Sequence, residues 1–315
     1  MNRDRALNVA NAVLYEGYML YPYRPSAVKN RQRWSFGILY PPAYEEVGRG
    51  TERSAMHSEV LLKVPISQHA PAGENTRENV SVQMQLRFLH LDTSDEAIER
   101  FVEFELSGRN YEFHFGFPGT RDVDLRHGST VERVQHEITG TVTAEFTSLA
   151  DNVLKLTIDV SNTTALSGSP TDRDSALLRS LLSAHTILTV SGGEFISLLD
   201  APADLREAVS ACRNIGNFPV LVGEEGERDM MLCSPILLYD YPQVAPESAG
   251  DFYDATEMDE MLTLRVMTLT DEEKNEMRSA NDHARNLLER TEASAREQLK
   301  RTHGTIRNMR PVGER

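Results

Sequence analysis

Residues 131–146 read VERVQHEITGTVTAEF and residues 154–160 read LKLTIDV. In the first stretch Val142, Ala144 and Phe146 fall on one side of an extended chain, and Thr141, Thr143 and Glu145 on the other. Successive side chains of a strand point to opposite faces. This two-residue period therefore predicts an antiparallel strand with one face on a core and the other in water. On either side, Val60–Val64, Val80–Leu91, Phe101–Leu106 and Tyr111–Phe117 are further apolar or alternating runs. Turn-forming residues separate them at Ser107-Gly108-Arg109-Asn110, Pro118-Gly119 and Asp151-Asn152. Many strands at short spacing predict an α+β, β-rich fold: an antiparallel sandwich-like or open-barrel body with short helices and a long C-terminal helix.

The flanks read differently. Ala6, Val9, Val13, Leu14, Tyr18 and Leu20 recur at helical spacing, predicting a helix over residues 5–20 that Pro22 and Pro25 stop. Arg33–Tyr40 reads as a strand ended by Pro41-Pro42. Beyond a polar break at Ser161–Asp174, Ser175–Ala184 and Ala203–Cys212 read as short helices. Thr186–Val190, Phe195–Leu199, Pro219–Val222, Met231–Tyr239 and Leu262–Leu269 read as strands. Gly223–Asp229 reads as a hairpin turn; it lacks the Lys-Ser/Thr ending of a phosphate loop, and its three glutamates would repel phosphate. Thr270-Asp271-Glu272-Glu273 is a capping box, opening a helix that runs to about residue 302. The apolar stripe of that helix is thin, so it either packs by one narrow seam or docks a partner. The chain is thus expected to divide into an N-terminal helix plus antiparallel β-rich region (1–165), an α+β region packed on it (166–269), and a C-terminal helix with a frayed tail (270–315).

Composition narrows the function. Among 315 residues, 33 basic and 48 acidic side chains give a net charge of −15, which disfavours nonspecific binding to nucleic acid or anionic lipid. The charge is uneven. Residues 1–53 carry eight basic and five acidic side chains and residues 270–315 ten and nine, so the acidity lies in the middle of the chain. The two cysteines, Cys212 and Cys233, match no zinc or redox spacing and read as idle thiols. The N-terminal apolar stretch is broken by Asn11, Glu16 and Gly17, so it does not read as a signal peptide. No run of eighteen apolar residues predicts a membrane span. A cytoplasmic location, with no nucleic-acid partner, follows as the expectation.

No catalytic signature stands out, and no cofactor is predicted. The nine histidines form no H-E-x-x-H or comparable ligand pair, and no G-x-S-x-G elbow is present. Two segments are candidates for contact with a partner. Tyr21 and Tyr23 sit beside Arg24, Arg33 and Trp34, and aromatic groups interleaved with guanidinium groups are favoured at interfaces. A first helix packing its tyrosines internally, with a solvated basic turn, accounts for the same pattern. The run Asp254, Glu257, Asp259 and Glu260 could meet a basic patch, hold a hard cation, or simply be solvated. A metal site assembled from dispersed residues, for instance His90, His114 and the 251–260 carboxylates, is the rival chemistry.

Several blocks carry a further signal. They are Val13–Tyr18 (VLYEGY), Leu20–Arg24 (LYPYR), Lys29-Asn30 and Arg33-Trp34 near the N-terminus. Further on come Pro219–Asp229, Ser234–Pro242 (SPILLYDYP) with Ala245-Pro246-Glu247, Thr256–Glu260, Leu262–Arg265 and Thr268–Lys274. In these blocks the chain resembles an uncharacterised bacterial family typically encoded beside genes for nickel–iron hydrogenases of the high-affinity, atmospheric-hydrogen type. The resemblance implies a hydrogenase-linked accessory or assembly role, with a hydrogenase subunit or maturation factor as protein partner. The family defines no catalytic residues to carry over.

Overall fold

The computed structural model describes residues 2–24, 26–32, 34–47, 52–65, 80–107, 110–126, 129–150, 152–166, 172–244, 252–253 and 259–302. They form two compact units, one of Met1–Leu14 with Trp34–Gln243, the other of Tyr15–Arg33 with Val244–Arg315. The expected frayed tail, 303–315, lies outside the described residues.

The first unit is a two-sheet antiparallel sandwich. Its strands are β1 (Ala55–Lys63), β2 (Ser81–Leu91), β3 (Ala97–Leu106), β4 (Tyr111–Phe117), β5 (Thr120–Arg126), β6 (Ser129–Gln135), β7 (Ile138–Ala150), β8 (Val153–Asn162), β9 (Leu182–Ser191), β10 (Glu194–Ile196), β11 (Phe218–Leu221) and β12 (Met230–Ser234). One sheet runs β10-β1-β8-β7-β4, the other β11-β12-β9-β2-β3, and β5 and β6 form a separate hairpin. Strands from the 166–269 segment (β9, β11 and β12) thus pair into the same sheet as β2 and β3 from the 1–165 segment.

The period-two reading of residues 141–146 holds. Val142 pairs with Val160, Ala144 with Ile158 and Phe146 with Leu156, and all six are buried. They join Val60, Leu62, Met84, Leu86, Phe88 and Leu188 in one core fed by the inner faces of both sheets. At the β3/β4 edges the sheets are zipped by aromatic rings, with Phe104 stacked on Phe113 at 4.5 Å and Phe88 edge-on to Phe117 at 5.7 Å. Gly140 is required beneath these rings, because a Cβ there would lie 2.2 Å from Phe115 Cζ. Helix α1 (Asn2–Tyr15) lays Ala6, Val9, Ala10 and Val13 on the outer face of the second sheet, against Ile187, Val220 and Leu232.

Several expectations are corrected. Of the strand expected over Arg33–Tyr40, residues 34–40 are not one: Trp34 and Gly37 take positive φ (60° and 57°), and only Leu39 among them bridges, to Leu181. A short helix α2 (Pro42–Val47) follows. Residues 131–146 are two strands, parted at His136-Glu137, and β5 is too polar to have signalled itself. In place of a helix over 175–184, the short α3 (Arg173–Leu177), capped by Asp172, gives way to β9. The next helix, α4, covers Arg206–Ser210. Leu262–Leu269 is not a strand but the greater part of α5 (Asp259–Met267), since a short apolar run does not declare its period. The Thr270 capping box is present and opens α6 (Asp271–Ala280). Asn281 is extended (φ −165°, ψ 174°) and ends it; its Oδ1 then accepts from Ala284 N at 2.8 Å and starts α7 (Asp282–Thr302).

The second unit gathers α5, α6 and α7 around residues 15–32. Leu262, Val266, Met277, Ala284, Leu287 and Leu288 are buried, as are Tyr18 and Tyr23. Polar pegs fix the segment. Tyr23 Oη donates to Phe252 O (2.8 Å), and Asn30 Nδ2 donates to the carbonyls of Leu20 and Arg24 (both 2.9 Å). Across the helices, Lys274 and Arg278 both reach Glu292 at 3.1 Å.

No helix among the described residues is long and apolar enough to cross a membrane.

Candidate functional site

Within the sandwich unit a groove of about 440 Å³ opens between the chain at 34–40 and the start of β11. Its geometry follows from local backbone. Left-handed residues at Trp34 and Gly37 turn the chain, and hydrogen bonds then pin it: Ala184 N to Gly37 O (2.8 Å), Leu39 N to Leu181 O (2.9 Å) and Tyr40 N to Arg53 O (2.7 Å). Trp34, Phe36, Ile38, Tyr40, Phe218 and Pro235 line the groove, together with Glu52, Arg53 and Arg173. A Cβ on Gly37 would sit 2.7 Å from Pro235 Cβ, so the chain passes this close to Pro235 only because residue 37 has none. Arg173 Nη2 donates to Trp34 O at 2.9 Å, while burial, opposed by the Arg173 charge, pushes the Tyr40 hydroxyl above its ordinary range. Arg53 is exposed on the rim and has no carboxylate partner among the described residues.

Pro235 also begins a strap. Ile236 and Leu238 pack inward toward α1, whereas Leu237 and Tyr239 are 74% and 85% exposed. The strap is anchored at its far end. The Asp240 carboxylate accepts from Leu221 N (2.8 Å) and Ser197 Oγ (2.5 Å), and Tyr241 N donates to Leu221 O (2.7 Å). These bonds occupy the outer edge of β11, where Pro219 supplies no N–H. The groove thus mixes aromatic and aliphatic side chains with Ser35, Glu52, Arg53 and Arg173, and Leu237 and Tyr239 stand exposed on the neighbouring strap.

The residues expected to meet a partner separate. Trp34 lines the groove, although its ring is itself buried. Tyr21, Tyr23 and Arg24 lie in the helical unit. There Tyr23 is fully buried, Tyr21 is covered by the Arg265 guanidinium (5.3 Å), and Arg24 pairs with Glu273 (3.1 Å) and Glu276 (3.6 Å). Asp259 and Glu260 open α5. Arg33, Asp254 and Glu257 lie outside the described residues. Phe218, Leu237 and Tyr239 were missed. In SPILLYDYP the exposed Leu237 and Tyr239 flank the half-buried Leu238, an alternation whose sides could be assigned only with the strand end at Ser234 known.

Two polar clusters invite a chemical reading, and each is neutralised by its surroundings. On the first sheet His57 Nδ1 lies 2.7 Å from Asp159, and Glu59 bonds Lys155 (2.7 Å) and Arg213 N (2.7 Å). Cys212 is the nearby thiol, but burial and then the Glu59 carboxylate push it up to about 11. A thiol so disfavoured as thiolate is a poor nucleophile. In the second sheet His90 is fully buried, and burial followed by the Arg100 charge pushes it down to about 4. His136 accepts from Arg179 Nη2 at Nδ1 (3.1 Å) and is likewise lowered by burial and that charge. The expected companion His114 stands apart: it is 73% exposed on β4, in the other sheet, against Thr141 and Glu112. Among the described residues no group of three or more His, Cys, Asp or Glu side chains is placed to hold a metal ion.

Comparison with known protein families finds no matching family model, and comparison with curated proteins finds no match.

Proposed function

We propose that this chain is a cytoplasmic, non-enzymatic accessory or assembly protein that works by protein–protein contact and serves a nickel–iron hydrogenase, through one of its subunits or maturation factors. The groove carries the reading. Two of the blocks behind the resemblance, Arg33-Trp34 and Ser234–Pro242, lie some 200 positions apart in the chain yet each supplies a residue to its lining, Trp34 and Pro235. Its partner would be a segment that inserts apolar side chains between Trp34 and Phe218 and offers a carboxylate to Arg53. The test is affinity purification of the tagged chain from its native host, beside a Phe218→Ala/Arg53→Glu variant. Recovery of a hydrogenase component by the first and not by the second is expected. Failure to recover one, with hydrogen uptake intact in a deletion strain, would overturn the proposal. The rival reading, a metal carrier or enzyme, predicts stoichiometric metal in the purified chain by elemental analysis.

A further inference from the structure

Helix α5 (DEMLTLRVM) carries apolar side chains on two sides, and only one of those sides is covered. Leu262, Val266 and Leu269 face the interior of the helical unit, and Arg265 is spent on the Tyr21 ring. Met261, Leu264 and Met267 recur every third residue, so they share the opposite side of the helix. They are 38%, 41% and 40% exposed, a level at which isolated apolar residues are common but an aligned row of three is not. Methionine and leucine side chains adapt to different partners, which suits a docking face.

The ends of the row name the partner's charge. Asp259 and Glu260 immediately precede Met261, within a stretch that holds five carboxylates between residues 251 and 260. Past the other end, Asp271 and Glu272 are exposed and have no ion-pair partner among the described residues. They favour the N-terminus of α6, and that role leaves their outward charge unanswered. A second copy of this chain would bring the same carboxylates and a further net charge of −15. We infer that the Met261–Leu264–Met267 face of α5 is a docking site for an amphipathic helix with an apolar stripe flanked by Lys and Arg. The inference concerns a different surface from the groove and does not rest on the hydrogenase reading.

The test uses the full chain and three fluorescein-labelled 18-residue peptides, read by anisotropy. One is a helix with a leucine stripe and lysine flanks, one replaces every lysine with glutamate, and one scrambles the first so that the stripe is lost at equal charge. The first alone should bind, and binding should weaken as salt rises from about 0.05 to about 0.5 M. Leu264→Glu should weaken binding at least about tenfold, and Met261→Ser/Met267→Ser should weaken it in the same direction by less. Equal binding of the scrambled or acidic peptide, indifference to Leu264→Glu, or sedimentation as a dimer that Leu264→Glu dissolves would each overturn the inference.

Discussion

The two units treat the same residue type in opposite ways. In the sandwich, His90 and His185 are fully buried, and burial holds both near 4, so they are folded in as neutral groups. In the helical unit His283 sits among the rings of Tyr15 (5.2 Å), Tyr18 (5.0 Å) and Tyr253 (5.8 Å), with Tyr253 Oη 3.2 Å from its Nδ1. The difference follows from what each unit has to bury. Two facing sheets supply aliphatic and phenylalanine area in quantity, and can carry the cost of a few desolvated polar groups. Three helices around a short chain segment have less such area, and rely on tyrosine rings, directed hydrogen bonds and ion pairs.

The contrast sets the scale of what mutation should do. Phe88→Ala removes a fully buried ring from the sandwich core and should cost about 3–5 kcal/mol in urea unfolding; a cost below about 2 kcal/mol would mean the core repacks freely. Acid should weaken the sandwich next. An imidazole whose folded pKa lies below its unfolded one contributes stability that is complete above about pH 6.5 and is lost as pH falls toward 4. For His185 this amounts to roughly 3 kcal/mol, so His185→Leu should flatten the acid limb of the unfolding midpoint between those pH values. In the helical unit Tyr23→Phe leaves the ring but strands the Phe252 carbonyl, for about 1 kcal/mol. Thr270→Ala deletes the cap of α6 and should cost about 1 kcal/mol or slightly less, visible as lost ellipticity at 222 nm. If Tyr23→Phe cost nothing measurable, the helical unit would not rely on its directed hydrogen bonds as the contrast requires.

What was legible in the sequence was local. The alternation at Val142, Ala144 and Phe146 shows as it stands because one face of β7 is buried along the core and the other is not. The Thr270 capping box and the Gly223–Asp229 hairpin are short-range chemistry, and both are present, the turn having Gly223 and Gly226 at positive φ. What could not be read is whatever depends on distant chain. LTLRVMTL satisfies either period, and only its packing makes it a helix. Nothing in Tyr15–Tyr23 indicates that Phe252, Tyr253 and His283 will meet it, nor in Trp34 that Pro235 will line the same groove. Tyr23 and Arg24 have the composition of an interface and the surroundings of an interior, a distinction that only burial and partners can draw.

The edge of β11 has a consequence for how this protein behaves in crowded solution. Strand-by-strand growth into fibrils requires a row of unanswered amides for an incoming chain to read. Here one residue of that row is an imino acid and the next is already answered by Asp240 and Tyr241. Cutting the strap after Tyr239, or replacing Pro219 with valine, should turn a quiet margin into a template and shorten the lag before thioflavin-positive aggregates form.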